Sequence, residues 1–318
     1  MGNAKQERRK RVRRRRFLED EVHHIYQRTI KRFNIFYDLE DYLVYYTIFS
    51  IAARQYDVIV LGLCLMFDHI HMLIRTEAKV TMSEFVRQVT CMFAREQNNE
   101  VGRKGSLFQA RFGSAPKKGM KLLRTAIAYL FNNPVEKRLC NRAEEYRWDF
   151  LAYAISPHPF SDPMSPKEAS RSLKRAIKEV DLAESEERHL RYCQLKRMLI
   201  KLNEKERMQL TDHIISIYNP FDYDEIIKCY GSYEDMLTAI NSNTGSEYDI
   251  KEERYRFSDM EYVRMGNILH STEGIKELRK VTCLEIEEKM RLAELLNKHL
   301  SCGNLPIAKF LHMDAKNA

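Results

Sequence analysis

The sequence predicts an α+β fold, in which an antiparallel sheet with packed helices is followed by a mostly α-helical carboxy-terminal region. Three observations support this prediction. Between residues 20 and 155, short apolar segments of strand character alternate with segments of helical period. Residues 156–166 hold four of the eight prolines and have the composition of a linker. Residues 167–318 are then charged and helical in pattern throughout. We therefore expect a basic arm (1–19), a sheet domain (20–155), a linker (156–166) and a helical domain (167–318).

The sheet domain is predicted to alternate strands and helices. Asp38 is suited to cap the first helix, Asp68 lies at a tight turn, and Pro134 stops the last helix because its ring excludes an amide donor. The predicted strands are 21–30, 58–67, 69–75 and 106–112, and the predicted helices are 39–56, 81–98 (capped by Thr81 or Ser83) and 120–132. Residues 113–119 (GSAPKKG) are predicted to be a flexible basic loop.

The carboxy-terminal region is predicted to be a series of helices. Its last two, near 283–300 and 305–313, are separated by Gly303 and Asn304, a spacing compatible with a helix-turn-helix. Residues 304–312 are then the candidate recognition helix. Residues 151–318 carry 25 Lys and Arg against 28 Asp and Glu, so a plain helical packing domain is the alternative. The earlier helices are predicted within 167–202, 203–217, 222–240 and 249–262.

Composition excludes several classes of protein. The chain is 44% hydrophobic and 31% charged, which is ordinary for a globular protein. No apolar run approaches the roughly 20 residues of a membrane span, and the basic amino terminus is not followed by the apolar stretch of a signal peptide. The seven cysteines are scattered and form no CxxC pair, which favours a reducing compartment. We expect a cytoplasmic, nucleoid-associated protein.

Positive charge is concentrated in two segments. Residues 1–16 carry nine Lys and Arg and one Glu, a net charge of +8 that equals the net charge of the chain. Such an arm favours a DNA phosphate backbone, and a solubilising tail is the alternative. The second concentration runs from Arg103 to Arg147, where a solvated basic surface is the alternative to DNA contacts. The candidate DNA contacts there are Arg111, Lys117, Lys118, Lys121 and Arg124.

The central motif is His69-Ile70-His71 within a near-continuous apolar run. Because side chains alternate along a strand, the two imidazoles project to the same face of the sheet. Two imidazoles side by side on a rigid sheet are half of a metal site. The motif alone is weak, and one exposed and one hydrogen-bonded histidine is its structural alternative. His24 on the first strand is similarly either a ligand-facing or an ordinary strand residue.

A second group of polar residues lies on the helix before Pro134. Tyr129 and Asn133 are four residues apart and therefore lie on one helical face. Their structural alternatives are a core-edge tyrosine and a helix C-cap. A tyrosine hydroxyl, an amide oxygen and two imidazoles can converge on one divalent ion and one phosphate.

Together these motifs resemble the HUH single-tyrosine transposases, and most closely the REP-associated tyrosine transposases. That family has a His-hydrophobic-His strand and a later helix with a tyrosine shortly before Asn-Pro. Here these are His69-Ile70-His71 and Tyr129-Leu-Phe-Asn-Asn133-Pro134. The segments LFQARF (107–112) and HHIYQRTIKRFNIFYDLEDY (23–42) also resemble the family. The resemblance covers roughly residues 20–153 and implies a ferredoxin- or RRM-like HUH domain.

The resemblance implies a mechanism. His69 and His71 bind Mg²⁺ or Mn²⁺, with Asn133 as candidate third ligand, and Tyr129 attacks a phosphate of single-stranded DNA. An amide oxygen suits such a hard cation, which polarises the scissile phosphate. Free tyrosine has a pKa of about 10, so attack needs a local positive field. The products are a 5′-phosphotyrosine and a free 3′-hydroxyl, which allows strand transfer to another 3′-hydroxyl.

The resemblance also implies partners. The family often recognises single-stranded DNA through a hairpin beside the cleavage site and often acts as a dimer. Residues before 20 and after about 160 lie outside the resemblance. One alternative is a non-catalytic, domesticated DNA-binding regulator on the same fold. Another is a metal phosphodiesterase in which water attacks and Tyr129 is dispensable.

Overall fold

The computed structural model describes residues 16–109, 111–165, 167, 169–242 and 258–318. Residues 1–15 of the basic arm and most of the helix predicted over 249–262 lie outside these ranges. In the described part of the chain, no helix is long and apolar enough to cross a membrane.

The centre of the fold is a four-stranded antiparallel sheet. Its strands are β1 (His23–Arg28), β2 (Ile59–Met66), β3 (His69–Arg75) and β4 (Gly113–Pro116). Their order in the sheet is β2-β3-β1-β4, so the two central strands are β1 and β3. One helix, α1 (Leu39–Gln55), follows β1 and another, α2 (Lys79–Val101), follows β3, which is the succession of a ferredoxin-like domain. The α+β class predicted from the sequence is confirmed.

The two faces of the sheet carry different helices. On one face, Ile70 and Met72 of β3 join the core formed with α1 (Leu39–Gln55) and α2 (Lys79–Val101). On the other face, Leu73 joins a second core formed with α3 (Gly119–Glu136). Alternation along β3 therefore turns its odd-numbered residues toward α3.

Three local predictions are corrected by the structure. Residues 113–116, predicted to be a loop, form β4 and pair with β1, whereas the predicted strand over 106–112 contributes only an isolated bridge between Phe108 and Thr29. Helix α2 begins at Lys79 with Ala78 as its N-cap, before the predicted Thr81 or Ser83. Pro134 does not stop α3, which continues to Glu136, because Lys137 and Leu139 donate amide hydrogen bonds to Asn133 and Pro134 and close the last turn.

The carboxy-terminal half is helical, as predicted. Its first helices share the core on the α1 face of the sheet and do not form a separate core. Tyr46 of α1 donates a hydrogen bond to the carbonyl of Ile215 at 2.8 Å, and the amide of Leu190 donates one to Thr47 at 3.1 Å. The helices are α4 (Arg171–Ser185), α5 (Tyr192–Leu199), α6 (Glu204–Ile217), α7 (Tyr223–Lys228), α8 (Tyr233–Asn241), α9 (Met260–Glu273), α10 (Ile286–His299) and α11 (Asn304–Leu311).

Helices α9 to α11 pack around a third core and are fixed to the amino end of α1 by Arg279. The buried guanidinium of Arg279 contacts the carboxylates of Asp38, Glu40 and Asp41 at 3.0, 2.6 and 3.3 Å. Most of α11, the candidate recognition helix, is buried from Pro306 to Leu311. This burial leaves little of its surface for a DNA groove.

Candidate active site

Strand β3 places His69 and His71 on the sheet face that α3 covers. Both residues are buried, and their ring centroids are 5.0 Å apart. The common orientation of the two imidazoles predicted from the sequence is therefore present. Since β3 is a central strand paired on both sides, the spacing of the two rings is set by a rigid framework.

Each imidazole has a hydrogen-bonding partner at Nδ1. The Nδ1 atom of His69 lies 2.5 Å from Oδ1 of Asp68. The Nδ1 atom of His71 lies 3.0 Å from Nε2 of His24, which is buried on β1. These contacts orient the rings and direct both Nε2 atoms away from the partners, as is usual for histidines that bind metals.

Helix α3 brings Tyr129 and Asn133 to the same place. The ring of Tyr129 is 2% exposed, and its centroid is 5.6 Å from the ring of His71 and 5.7 Å from that of His24. One turn along the helix, Nδ2 of Asn133 lies 3.3 Å from Nε2 of His71. All four residues predicted from the sequence to be catalytic or metal-binding therefore lie close together, although Tyr129 is 58 positions after His71 in the chain.

The donor atoms fit a divalent cation. Among the buried polar atoms that have no hydrogen-bond partner in the described part of the chain are Nε2 of His69 and Oδ1 of Asn133. A rotation of the Asn133 amide by half a turn exchanges its Nδ2 and Oδ1 atoms and brings the oxygen toward Nε2 of His71. Two imidazole nitrogens and an amide oxygen are acceptable ligands of Mg²⁺ or Mn²⁺ when substrate oxygens complete the shell. No group of three or more His, Cys, Asp or Glu side chains suited to a metal occurs in the described part of the chain.

Charged residues from distant parts of the chain surround His69. A small enclosed space is lined by Arg32, Asp68, His69, Lys137, Asp259, Tyr262 and Lys309. Burial raises the pKa of the Asp68 carboxyl, but the neighbouring His69, Arg32 and Lys309 outweigh it and bring the pKa to about 2. Burial raises the pKa of Asp259 to about 6. Asp68 therefore stays ionised at neutral pH and keeps its hydrogen bond to His69.

The basic residues near the site are not equivalent. Arg111, Lys118 and Lys121 are exposed. Arg124 is exposed and lies over the ring of Tyr230, with its Cζ atom 4.7 Å from the ring centroid. In contrast, Lys117 is only 2% exposed and follows β4 into the fold. Four of the five candidate DNA contacts thus present their charge to solvent.

The sequence gives only weak signals for two residues of the site, Asp68 and His24. From the sequence, Asp68 is predicted only to lie at a tight turn, and the pattern around His24 favours an ordinary strand position over a ligand-facing one. The pairing of His24 with His71 depends on the register of β1 against β3, in which His24 is opposite Leu73. No local pattern reveals this register, whereas an acidic residue directly before the first histidine was a usable signal for Asp68.

A ferredoxin-like sheet that carries two histidines beneath a helix-borne tyrosine and asparagine is the architecture expected of a single-tyrosine transposase. Residues 18–133 match the family model described as "Transposase IS200 like". This match confirms the resemblance to the tyrosine transposases, and it contains the strand of His69 and His71 as well as Tyr129 and Asn133. Residues 18–133 are therefore similar to this transposase family, and residues 134–318 lie outside the match.

Solved structures and curated proteins were also compared with the chain. A matching structure is described as "Structure of the REP associates tyrosine transposase bound to a REP hairpin". It is 14% identical, with a TM-score of 0.40, and the alignment covers 50% of this chain and 94% of that one. No curated protein matches the chain.

Proposed function

We propose that this protein nicks and rejoins single-stranded DNA through a covalent 5′-phosphotyrosine on Tyr129. The observation that carries the proposal is the convergence of Tyr129, His71 and His69 from two separate elements, with ring centroids 5.6 and 5.0 Å apart. The family match over residues 18–133 supports a DNA-processing enzyme in general. The nucleophile, the metal and the single-stranded substrate are our proposal.

The residues of the chain have separate tasks in this reaction. The phenol oxygen of Tyr129 attacks phosphorus and loses its proton. The bond from phosphorus to the 3′ oxygen breaks, and that oxygen leaves as a hydroxyl after taking a proton. His69, His71 and Asn133 are the residues that hold Mg²⁺ or Mn²⁺. A bound divalent cation supplies Lewis-acid polarisation of the phosphate and offsets its developing negative charge.

The arrangement of the site limits how DNA reaches it. Tyr129 and His71 are at most 2% exposed, and His69 is 4% exposed. Side chains of α9 and α11, Tyr262 and Lys309, lie beside His69 together with Asp259. Because Tyr129 and both histidines are buried, a scissile phosphate reaches them only after neighbouring side chains move.

The proposed substrate is a single strand with a hairpin beside the cleavage site, as in the family that the sequence resembles. Exposed Arg111, Lys118, Lys121 and Arg124 are the proposed contacts to its backbone. Their charges give affinity that falls with salt and does not depend on base sequence. We place this reaction in the cytoplasm, at the nucleoid, and a homodimer is the assembly that the family resemblance implies.

The test uses labelled single-stranded hairpin oligonucleotides from the DNA that flanks the gene, with Mn²⁺. A protein–DNA adduct on a denaturing gel is expected for the wild type and is expected to disappear in Tyr129→Phe and His71→Ala. Tyr45→Phe is the matched control, because Tyr45 is also buried and its hydroxyl has no hydrogen-bond partner in the described part of the chain.

Two other outcomes would favour the alternative functions. Cleavage that survives Tyr129→Phe and leaves no adduct would indicate attack by water and a phosphodiesterase. Tight binding without cleavage in any divalent metal would indicate a non-catalytic DNA-binding regulator.

A further inference from the structure

Helix α4 presents a stripe of positive charge to solvent. Arg171, Lys174, Arg175 and Lys178 are exposed and follow the spacing i, i+3, i+4 and i+7. This spacing places all four on one helical face over about 10 Å of the helix axis. The opposite face is held in the core by residues such as Leu173. We call these four residues the α4 stripe.

The charges of the stripe are not neutralised within the protein. The three acidic residues of α4 pair with cations outside the stripe: Glu179 with Arg197, Asp181 with His213, and Glu184 with Arg54. Within the described ranges, none of the four stripe residues has a carboxylate at ion-pair distance, and Lys201 on the neighbouring turn has none either. Like charges three and four residues apart repel one another, so a bound polyanion relieves an unfavourable interaction.

A groove runs beside the stripe between α4 and the end of α5. Its volume is about 370 Å³. Arg171 and Arg175 line it from α4 and Lys201 lines it from the residues after α5, together with the ion pair of Glu179 and Arg197. Cations therefore stand on both sides of the groove. The amino end of α4, where Ser170 accepts a hydrogen bond from the amide of Leu173 at 3.1 Å, adds the positive end of the helix dipole.

The side chains that line the groove favour double-stranded over single-stranded DNA as its ligand. Sites for single strands combine a basic groove with aromatic side chains on which the bases stack. Among the described residues that line this groove, none is aromatic. A duplex keeps its bases stacked inside and presents only phosphates at its rim, so the groove fits a duplex backbone.

The location of the stripe separates it from the candidate active site. Helix α4 contacts α6, and α5 and α6 contact α1, so all belong to the helical layer on the α1 face of the sheet. Tyr129 and the two histidines lie on the α3 face. A substrate that contacts both places has to extend past the hairpin and around the domain.

From these observations we infer that the α4 stripe and Lys201 form a second DNA site, which binds the phosphate backbone of the duplex that flanks the processed strand. The choice of DNA as the bound polyanion rests on the proposed function. It assigns to the carboxy-terminal half a contact that the sequence, with its balance of acidic and basic residues there, did not indicate.

The test is fluorescence anisotropy with two probes, a short single-stranded hairpin and the same hairpin extended by 20 base pairs of duplex, a length of roughly two helical turns. The variants are Arg171→Gln with Arg175→Gln, and independently Lys174→Gln with Lys178→Gln. The control pair is Lys276→Gln with Lys298→Gln, which removes two exposed positive charges from another part of the chain. Each protein is checked by circular dichroism and thermal unfolding.

Either stripe variant is expected to bind the extended probe about tenfold more weakly, with a salt slope shallower by about 2. Binding of the short hairpin is expected to change no more than in the control pair. Equal losses on both probes would overturn the assignment to duplex, and no loss on the extended probe would overturn the site. Anionic lipid vesicles that bind as tightly as the extended probe, with the same sensitivity to the variants, would assign the stripe to a membrane surface and overturn the inference.

Failure of this inference differs from failure of the proposed function. If the wild type forms the Tyr129 adduct and the stripe variants bind normally, only the second site is wrong. If the wild type forms no adduct but binds duplex through the stripe, only the proposed chemistry is wrong.

Discussion

The Nδ1 atom of His69 lies 2.5 Å from the Oδ1 atom of Asp68, the residue directly before it. The arrangement fixes the orientation of the His69 ring and directs its Nε2 atom away from Asp68. Arg32 in turn lies 3.5 Å from the other oxygen of Asp68. The candidate metal site therefore has an ordered outer layer in addition to its ligands.

Replacement of Asp68 by Asn is expected to weaken Mn²⁺ binding by about 10- to 100-fold, since it keeps the shape of the side chain and removes its charge. Titration calorimetry or electron paramagnetic resonance of Mn²⁺ measures this directly, without DNA. Asp314→Asn is the control, because it removes a carboxylate of which 71% of the side chain is exposed. An unchanged affinity in Asp68→Asn would show that the carboxylate does not support the metal site.

Gly113 on β4 lies directly opposite Tyr26 on β1, and a Cβ atom added to the glycine would lie 1.9 Å from Cζ of the tyrosine ring. Gly113→Ala is therefore expected to lower the free energy of unfolding by about 1–3 kcal/mol, the usual cost of overpacking. Denaturant unfolding measures the loss. In a Tyr26→Ala background the same substitution is expected to cost less, because the clashing ring is absent. Equal costs in both backgrounds would mean that the strain arises from something other than the ring.

Arg279 holds the last three helices against α1 through three carboxylates while its own side chain is 1% exposed. The neighbouring carboxylates raise the pKa of its guanidinium, although burial alone would lower it. Arg279→Met leaves those carboxylates buried without their cation, so we expect a loss of about 3–5 kcal/mol in the free energy of unfolding.

The control for Arg279 is Arg291→Met. Arg291 also bridges two carboxylates, those of Glu273 and Glu288, but its side chain is 49% exposed. Such an exposed network contributes little to the free energy of unfolding, because water and salt screen its charges. If both substitutions cost the same in urea unfolding, burial of the Arg279 network is not what stabilises the contact between α1 and the last helices.

Much of the site followed from local spacing, and the remainder depended on tertiary contacts. The period of two in β3 and the four-residue spacing from Tyr129 to Asn133 are local properties, and they correctly placed each pair on one face. Strand β4 was missed because Gly-Ser-Ala-Pro has no apolar alternation and becomes a strand only by pairing with β1. The extension of α3 past Pro134 was missed because the residues after the proline close the turn.

The packing of the carboxy-terminal half was also beyond local patterns. A helical period predicts that α4 to α6 are amphipathic, but it does not say which surface their apolar faces cover. In the structure they cover α1, so the Pro-rich segment 156–166 connects parts of one core. The amide of Phe160 in that segment donates a hydrogen bond to Asp212 at 3.1 Å. The domain boundaries drawn from composition stay a prediction.

His312 gives the protein a stability that depends on pH. Its ring stacks on Phe33 at 4.6 Å, and its Nε2 atom donates to the carbonyl of Asn34 at 2.6 Å. Burial lowers its pKa to about 3, although the hydrogen bond to Asn34 acts in the opposite direction. Because the unfolded chain has the ordinary value of about 6.5, the unfolded state binds more protons between pH 6.5 and pH 3. The contribution of His312 is therefore complete above pH 6.5 and is lost as the pH falls toward 3.

The variant His312→Asn isolates this effect, since asparagine tolerates the left-handed backbone found at this position (φ 54°) and does not titrate. Above pH 7 the variant is expected to be less stable than the wild type by about 1–2 kcal/mol, because the ring stack is lost. Below pH 6.5 the wild type is expected to lose about 1.4 kcal/mol per pH unit relative to the variant. Urea unfolding of both proteins from pH 7.5 to pH 5 measures this difference in the free energy of unfolding. The buried Asp41 carboxyl, whose pKa is raised by burial to about 6, has the opposite pH dependence. Its contribution is the same in both proteins and therefore cancels in the difference. Parallel pH profiles would show that His312 is protonated as readily in the folded protein as in the unfolded chain.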